Sequence, residues 1–348
     1  MPDPVLTQAI DKLASGHDLS ADEAAEVLGL IMAGEASEAQ IAAVLIALRT
    51  KGETIEEVAG LARTMRALAA PVATARDDLV DTAGTGGGRT TFNVSTTAAL
   101  IAAGAGCAVA KHGNRSATSR SGSADLLEAL GVRIDLSPAA VGACIDEIGF
   151  GFMFAPNHHQ ATRFVIPVRK QLAVRTIFNF LGPLTNPAGV RRQVIGVSDP
   201  AFVDVVAGAL ALLGADRALV VSSHDGLDEV SISAATTVVE VDGADVRSYT
   251  VSPEDCGLAT IADPDALDGG SPQDNAATTR AILAGETGAR RDIAVLNAGA
   301  AIYAAGRADD IAAGVAAAQA AIDGGAATRT LDALVAHTQA LAEETARA

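Results

Sequence analysis

Four of the five residues from 84 to 88 are glycines, and a run rich in hydroxyl and amide side chains follows them. Glycine loses more conformational entropy on folding than other residues and adds no side chain to a core. The run therefore favours a loop whose backbone approaches a ligand closely. An anion could be held there by the N-terminus of the next predicted helix and by backbone or side-chain groups of Gly84, Gly86, Gly87, Gly88, Thr91, Asn93, Ser95 and Thr96.

Two common phosphate-binding motifs are absent from this stretch. A dinucleotide fingerprint G-x-G-x-x-G that begins at Gly84 would need a glycine where the chain has Arg89. The triplet G-K-S or G-K-T of a P-loop occurs nowhere in the sequence. The loop therefore predicts an anion site of another kind, and a nicotinamide-dependent dehydrogenase is disfavoured.

A second polar cluster occupies residues 111–123, after another apolar run. It ends where a helix is predicted to begin, so a second positive helix end would face the same region. The basic members are Lys111, Arg115 and Arg120, and the hydroxyl members are Ser116, Thr118, Ser119, Ser121 and Ser123. Two donor-rich strand ends in one chain predict a ligand with more than one phosphate group.

Adjacent carboxylates, Asp228 and Glu229, follow a third apolar run. An acidic pair on a loop is equally typical of a solvated surface. Beside phosphate-binding loops, however, such a pair is suited to Mg²⁺, which binds one or two carboxylates together with phosphate oxygens and water. Elsewhere in the chain, the adjacent histidines His158 and His159 lack the spacing of metal ligands, so they predict no metal site.

The first 70 residues predict helices only. Three segments begin with the capping-box pattern, at Ser20–Glu23, Ser37–Gln40 and Thr54–Glu57. Gly16, Gly34 and Gly52 stand where the preceding helices should end. No residue pattern in this part indicates chemistry, so we interpret it as a packing or dimerising unit.

From Pro71 onward, short apolar runs alternate with helical segments. The runs that predict strands are residues 79–84, 107–113, 132–136, 151–156, 194–199 and 217–226. Helices are predicted at 123–130, 138–148, 200–213 and from Asp309 onward, and a hairpin over 236–250 should turn at Asp242-Gly243. This alternation predicts an α/β fold with a mostly parallel sheet, whose ligands bind beyond the carboxyl ends of the strands.

Charge and cysteine content restrict the class of protein. The 348 residues include 25 basic and 42 acidic ones, a formal net charge of −17. This balance argues against a broad nucleic-acid or anionic-membrane surface. The three cysteines lack any C-x-x-C spacing and are interpreted as reduced apolar residues. With no signal-peptide pattern near the first residue, we expect a soluble cytoplasmic protein.

Several stretches together resemble one family. The segments DTAGTGGG, TFNVST, KHGNR, TSRSGSADLLEALG, FAPNHHQATRFVIPVRKQLAVRTIFNFLGPLTNPA and DGLDE occur in the order and spacing of the anthranilate phosphoribosyltransferases. The resemblance implies transfer of the phosphoribosyl group of phosphoribosyl pyrophosphate (PRPP) to anthranilate, with release of pyrophosphate and with Mg²⁺ required. This is the second step of tryptophan biosynthesis.

The resemblance also implies an architecture. It is the nucleoside-phosphorylase-like fold, with a small all-helical domain over residues 1–72, completed by about 166–184, and a large α/β domain over 73–348. A homodimer through the helical domain is expected, with the active site in the cleft between the domains.

Site residues follow from the resemblance by position. PRPP would contact Gly84, Gly87, Thr91, Asn93, Ser95, Thr96, Lys111, Ser119 and Ser123. Anthranilate would contact Gly84, His112, Asn114, His159 and Arg169, and Mg²⁺ would be held by Ser95, Asp228 and Glu229. Lys111, Asn114 and Arg169 are the expected catalytic residues. Gly88 stands where the family usually has an aspartate, and the loop is one residue shorter.

Two alternatives stay open at this point. A pyrimidine nucleoside phosphorylase would share the fold but would use inorganic phosphate and a nucleoside, and its glycine loop has a different pattern. A non-catalytic, nucleic-acid-binding relative is disfavoured by the net charge of −17 and by the intact acidic pair. Without the resemblance, Arg169 would be interpreted as a charge on a helix surface.

Overall fold

The computed structural model describes residues 3–116 and 120–347. Its N-terminal part consists of helices alone, as predicted. These are α1 (Pro4–Ala14), α2 (Ala21–Ala33), α3 (Glu38–Lys51) and α4 (Ile55–Leu68). All three predicted capping boxes form, and Gly34 and Gly52 end α2 and α3 with φ of 80° and 89°. Local sequence therefore determines where these helices begin and end.

A seven-stranded sheet forms the centre of the rest of the chain. Its strands are β1 (Leu79–Gly84), β2 (Ala108–Gly113), β3 (Phe150–Phe154), β4 (Arg192–Gly196), β5 (Arg217–Ser223), β6 (Thr236–Asp242) and β7 (Asp245–Val251). Their order in the sheet is β3-β2-β1-β4-β5-β6-β7. Neighbours from β3 to β5 in this order pair in parallel, whereas β6 pairs antiparallel to both β5 and β7. The predicted hairpin forms, with Asp242 paired to Asp245 across its turn.

Further helices connect and cover the strands. They are α5 (Val94–Gly104), α6 (Ser123–Ala129), α7 (Pro138–Ile148), α8 (Ala155–His158), α9 (Ile166–Leu172), α10 (Phe178–Leu184), α11 (Val203–Leu212), α12 (Pro272–Leu283), α13 (Ala289–Ala304), α14 (Ile311–Asp323) and α15 (Ala326–Arg347). Short 3-10 turns occur at Gln160–Phe164, Pro200–Phe202, Pro253–Cys256 and Pro264–Leu267. No helix in the described ranges is long and apolar enough to cross a membrane.

The two faces of the sheet join two different apolar cores. Val194 and Leu219 point to the side covered by α5 and α13. Their neighbours in sequence, Ile195 and Val220, point to the other side, where the N-terminal helices and α11 pack. Because side chains alternate along a strand, one sheet can bury apolar residues on both faces.

The strand order reverses direction between β1 and β4. The chain proceeds from β1 outward to β2 and β3 on one side, and from β4 outward to β5 on the other. At such a switch point the connecting loops diverge, which leaves a crevice at the carboxyl ends of the strands. Gly84 and Gly196 are paired at that point.

One predicted strand is wrong. Residues 132–136 form no strand, although Val132, Ile134 and Leu136 are buried and alternate with exposed Arg133 and Asp135. The alternation arises because this extended segment packs one side on the core. The backbone of this segment makes a hydrogen bond with a side chain instead of with a neighbouring strand. The N–H of Arg133 donates to Thr338 Oγ1 at 3.2 Å.

Two helical glycines give a stability test with a matched control. A Cβ at Gly60 in α4 would overlap the backbone oxygen of Ala21, whereas a Cβ at Gly29 in α2 would meet nothing within 4 Å. We expect Gly60→Ala to destabilise the protein by about 1–3 kcal/mol through overpacking. Gly29→Ala should instead stabilise it by about 0.5–1 kcal/mol, because alanine favours the helix. Urea unfolding midpoints measure both; equal midpoints would contradict the close approach of α2 and α4.

Candidate active site

The carboxyl ends of the parallel strands bring the predicted polar segments together. The glycine run follows β1, most of the second polar cluster follows β2, and the acidic pair follows β5. All three loops leave the same edge of the sheet. Ser119 lies outside the described residues. The fold thus places the predicted phosphate and metal groups beside the switch point between β1 and β4.

The glycine loop packs tightly against the loop that carries the acidic pair. A Cβ at Gly84 would overlap the carboxylate of Asp228, and one at Gly196 would overlap the backbone oxygen of Asp228. A Cβ at Gly88 would lie 2.6 Å from the backbone oxygen of Gly226. The N–H of Gly86 donates to Asp228 Oδ2 at 2.8 Å. The glycines are therefore required by contacts within the protein as well as suited to a ligand.

The N-terminus of α5 is not closed by a side-chain cap. Asn93 occupies the N-cap position, but its side chain donates to the backbone oxygen of Ser121 and accepts from Ser121 Oγ and Asn275 Nδ2, at 2.9–3.0 Å. One turn further on, Thr96 Oγ1 is buried without a hydrogen-bond partner among the described residues. Asn93 therefore joins the first polar cluster to the second, and the hydroxyl of Thr96 is a buried polar group that calls for a partner.

Lys111 lies below the predicted phosphate site rather than at its surface. Its side chain is 1% exposed, and Nζ donates to the backbone oxygen of Thr82 at 2.5 Å and to Thr82 Oγ1 at 3.2 Å. Burial lowers the pKa of Lys111, while the charges of Asp81 and Glu229 act in the opposite direction. Lys111 thus lies inside the sheet and contacts Thr82.

Burial disfavours the ionised forms of Asp228 and Glu229. Burial raises the pKa of Glu229 to about 8, and the charge of Asp228 adds to the effect; Lys111 and the N–H of Ser95 oppose it. Burial also raises the pKa of Asp228. In the described part of the chain, no group of three or more His, Cys, Asp or Glu side chains could hold a metal ion. Two carboxylates and Ser95 are the hard oxygen ligands that suit Mg²⁺ when a phosphate supplies the rest.

His112 and His159 form a buried pair whose ring centroids lie 5.0 Å apart. Burial lowers the pKa of His112 to about 3 and that of His159 to about 4, so both rings are neutral at pH 7. His112 Nδ1 lies 3.2 Å from the backbone oxygen of Gly182. The Nε2 atoms of both rings are buried without a partner among the described residues.

Arg169 lies in α9 and is half-buried rather than fully exposed. Burial lowers its pKa, and no charged partner contributes. Its nearest polar contact is long, with Nη2 3.5 Å from Asn179 Oδ1, and its guanidinium lies 5.4 Å from the centre of the Phe178 ring. An unpaired guanidinium beside an aromatic ring is suited to an aromatic carboxylate.

The remaining predicted residues take varied positions. Ser123 is the first residue of α6, and Thr91 is half-buried beside Gly269. Asn114 is exposed and accepts the N–H of Arg115 at 2.7 Å. Arg115 itself pairs with Asp125 and Glu128, so the positive charge predicted there is already neutralised.

Comparison with known proteins gives one consistent family. Residues 7–69 match the family model described as "Glycosyl transferase family, helical bundle domain", and residues 76–328 match its "a/b domain". The anthranilate phosphoribosyltransferase of Moorella thermoacetica is 51% identical over 341 residues, covering 97% of this chain and 100% of the relative. That of Rubrobacter xylanophilus is 53% identical over 340 residues, covering 97% and 99%.

The chain belongs to the anthranilate phosphoribosyltransferase family. It is therefore an enzyme of the pentosyltransferase class. The solved structure of the Thermus thermophilus anthranilate phosphoribosyltransferase is similar, with a TM-score of 0.90, 47% identity and coverage of 95% of this chain and 99% of that one. The Saccharomyces cerevisiae enzyme "in complex with PRPP and Mg" has a TM-score of 0.88 and 27% identity, covering 97% and 99%. The predicted fold class is confirmed.

Two residues that contact the predicted site residues were missed in the sequence. Asp81 is fully buried in β1, where it accepts the N–H of His112 at 3.2 Å and Asn186 Nδ2 at 2.8 Å. An aspartate inside the apolar run at 79–84 was a visible signal. Arg175 lies over the glycine loop, and no local pattern distinguishes it from other surface arginines.

Adjacent threonines in α5 provide a test of the predicted anion site. Thr96→Val removes an unpartnered hydroxyl, so folding stability should be kept or increased, while the KM for PRPP should rise about tenfold because a ligand hydrogen bond is lost. Thr97→Val is the matched control, since Thr97 Oγ1 contacts the backbone oxygen of Asn93 and Thr279 Oγ1. It should lower stability by about 1–2 kcal/mol. An unchanged KM in Thr96→Val would remove Thr96 from the site.

Proposed function

We propose that this cleft transfers the phosphoribosyl group of PRPP to the amine of anthranilate and releases pyrophosphate, the second step of tryptophan biosynthesis. The observation that carries the proposal is the combination of two sets of residues with different chemistry. One set, at the glycine loop and α5, offers donors and carboxylates suited to a metal-bound diphosphate. The other, around Arg169 and the two histidines, suits an aromatic carboxylate.

PRPP would lie along the glycine loop and the N-terminus of α5. We assign it to Gly84, Gly87, Thr91, Asn93, Ser95, Thr96, Lys111, Ser119 and Ser123. The unpartnered hydroxyl of Thr96 and the missing side-chain cap on α5 support this placement. Asn93 and Lys111 are engaged with Ser121 and Thr82, so we expect them to shape the site from behind its surface.

Ser95, Asp228 and Glu229 would hold Mg²⁺. Burial and the neighbouring charge of Asp228 raise the pKa of Glu229, and a cation bound there would favour the ionised form of both carboxylates. Bound there, the ion would supply positive charge to the leaving pyrophosphate. Gly88 occupies the position of the family's usual aspartate, so the ligands in this chain come from the acidic pair and Ser95.

In the transfer, the bond between ribose C1 and the pyrophosphate oxygen breaks ahead of attack by the amine, through an oxocarbenium-like state, and the carbon–nitrogen bond then forms. Negative charge grows on pyrophosphate, and the N–H donors of the loop stabilise that charge more than they stabilise the bound substrate. Arg169 holds the carboxylate of anthranilate, with Gly84 and Asn114 beside it, so that the amine stays close to C1. The neutral amine needs no strong base to attack, and the neutral rings of His112 and His159 can accept hydrogen bonds from it. After the carbon–nitrogen bond forms, the nitrogen loses one proton to the released pyrophosphate or to water.

We also propose a homodimer that forms through a helical domain of residues 1–72 and about 166–184. Three of the large apolar side chains that stay exposed in the single chain, Ile46, Ile166 and Val174, lie on α3, on α9 or just after α9. We place the enzyme in the cytoplasm, where its free cysteines Cys107, Cys144 and Cys256 would stay reduced.

The direct test mixes the protein with PRPP, Mg²⁺ and anthranilate. We expect pyrophosphate release in step with the loss of anthranilate fluorescence, and removal of Mg²⁺ by a chelator should stop both. Thymidine or uridine with inorganic phosphate should give no product. Turnover of a nucleoside without turnover of anthranilate would instead favour a nucleoside phosphorylase.

Arg169→Ala tests the anthranilate end of the site. We expect the KM for anthranilate to rise about 100-fold, equivalent to about 2.7 kcal/mol for the loss of a charged hydrogen-bonding partner. The KM for PRPP should change little, because Arg169 is assigned to the other substrate. Lys170→Ala is the control, since Lys170 is the exposed next residue on the same helix. Equal losses for both substrates in Arg169→Ala would contradict the assignment.

A further inference from the structure

Arg175, in the segment between α9 and α10, binds the backbone of the glycine loop. Its Nη1 donates to the oxygen of Gly86 at 2.7 Å, and its Nη2 donates to the oxygen of Thr85 at 3.3 Å. The segment is itself anchored, because Arg49 Nη1 of α3 donates to the oxygen of Arg175 at 2.8 Å. A chain of contacts therefore runs from α3 through Arg175 to the loop.

The two carbonyl contacts determine the direction of the loop's N–H groups. In a trans peptide the C=O of one residue and the N–H of the next point in opposite directions, and the described peptides are all trans. With the oxygens of Thr85 and Gly86 turned to Arg175, the N–H groups of Gly86 and Gly87 point away from it. The N–H of Gly86 indeed meets Asp228 Oδ2 at 2.8 Å. The N–H of Gly86 thus faces Asp228, one of the carboxylates assigned to the metal.

The loop and the guanidinium fill complementary space. Gly86 and Gly87 have φ of 64° and 82°, a conformation that favours glycine. A Cβ at Gly87 would overlap Arg175 Nη1. Ser198 Oγ adds a second contact to the oxygen of Gly86 at 2.9 Å. The peptide between Gly86 and Gly87 is therefore held from one side by two side chains.

We propose that Arg175 is a positioning residue, which holds the carbonyl groups of Thr85 and Gly86 so that the loop's N–H groups point towards the acidic pair and the proposed pyrophosphate site before PRPP binds. This inference rests on the proposed function and assigns a role in it to Arg175, which lies on the segment that follows Arg169. Arg175 and Arg169 are six residues apart, so one connected segment contacts the PRPP loop and carries the proposed anthranilate ligand.

A lysine cannot replace Arg175 in this role. The planar guanidinium offers several N–H groups in a fixed fork, which reaches two carbonyl oxygens at once, whereas an ammonium is a point charge on a flexible stem. If Arg175 acted only through its positive charge on pyrophosphate, lysine would keep most of the effect. The two roles therefore predict different outcomes for the same substitution.

The experiment compares Arg175→Lys and Arg175→Ala in steady-state kinetics with both substrates varied. We expect both variants to lose about 100-fold in kcat/KM for PRPP, as when one preorganised donor is removed. Part of the loss should be in kcat, with the KM for anthranilate changed by no more than about twofold. Arg191→Ala is the control, because Arg191 also binds a backbone oxygen, that of Gly214 at 3.0 Å, but precedes β4 at the opposite end of the sheet. It should keep wild-type kinetics.

A double-substitution cycle adds an independent readout. Gly87→Ala should cost about tenfold less in kcat/KM for PRPP when Arg175 is already alanine, because the overlap with the guanidinium is gone. Melting temperatures identify any variant that fails to fold, and Arg175→Lys then carries the test. Near-wild-type kinetics of Arg175→Lys, or additive losses in the cycle, would overturn the inference. Absence of turnover in the wild-type protein would instead contradict the proposed function.

Discussion

The close contact between residues 226–229 and the glycine ends of β1 and β4 organises the site. Asp228 lies where side chains at Gly84 and Gly196 would be, so its carboxylate reaches the switch point of the sheet. Any larger residue at these strand ends would push the acidic pair outward, away from the loop N–H groups. The same contact brings Asp228 to the N–H of Gly86, which links a proposed metal ligand to a proposed phosphate-binding loop. Backbone packing therefore determines the distance between groups that must act on one pyrophosphate.

The site contains ionisable side chains whose charged forms are disfavoured by burial. Arg169 is half-buried without a charged partner, and burial raises the pKa of Glu229 to about 8. Keeping such groups away from water costs folding free energy. Binding offsets this cost when the substrate carboxylate and the metal ion supply charges opposite to those of Arg169 and the acidic pair. Because the groups are already in place, little reorganisation is needed as charge develops on the pyrophosphate, which is how preorganised sites lower a barrier.

Structural elements that depend on residues close together in the chain can be predicted from the sequence. The capping boxes of α2, α3 and α4 and the turn at Asp242-Gly243 were predicted correctly, because each depends on residues a few positions apart. The extended segment at 132–136 was predicted as a strand because its alternation of buried and exposed residues is that of a strand. Whether such a segment pairs depends on a neighbour distant in sequence, here Thr338, which no local pattern reveals.

The same distinction applies to the charged residues. Glycine-rich and hydroxyl-rich loops are visible in the sequence because composition alone separates them from a core, and the fold does bring them to one edge. Individual arginines are different, since each can reach many neighbours. Arg115 was counted toward the anion site but pairs with Asp125 and Glu128, while Arg175, which no pattern marked, reaches the glycine loop from 89 residues away. An arginine that the fold places beside carboxylates pairs with them, and only an arginine without such neighbours remains available to the site.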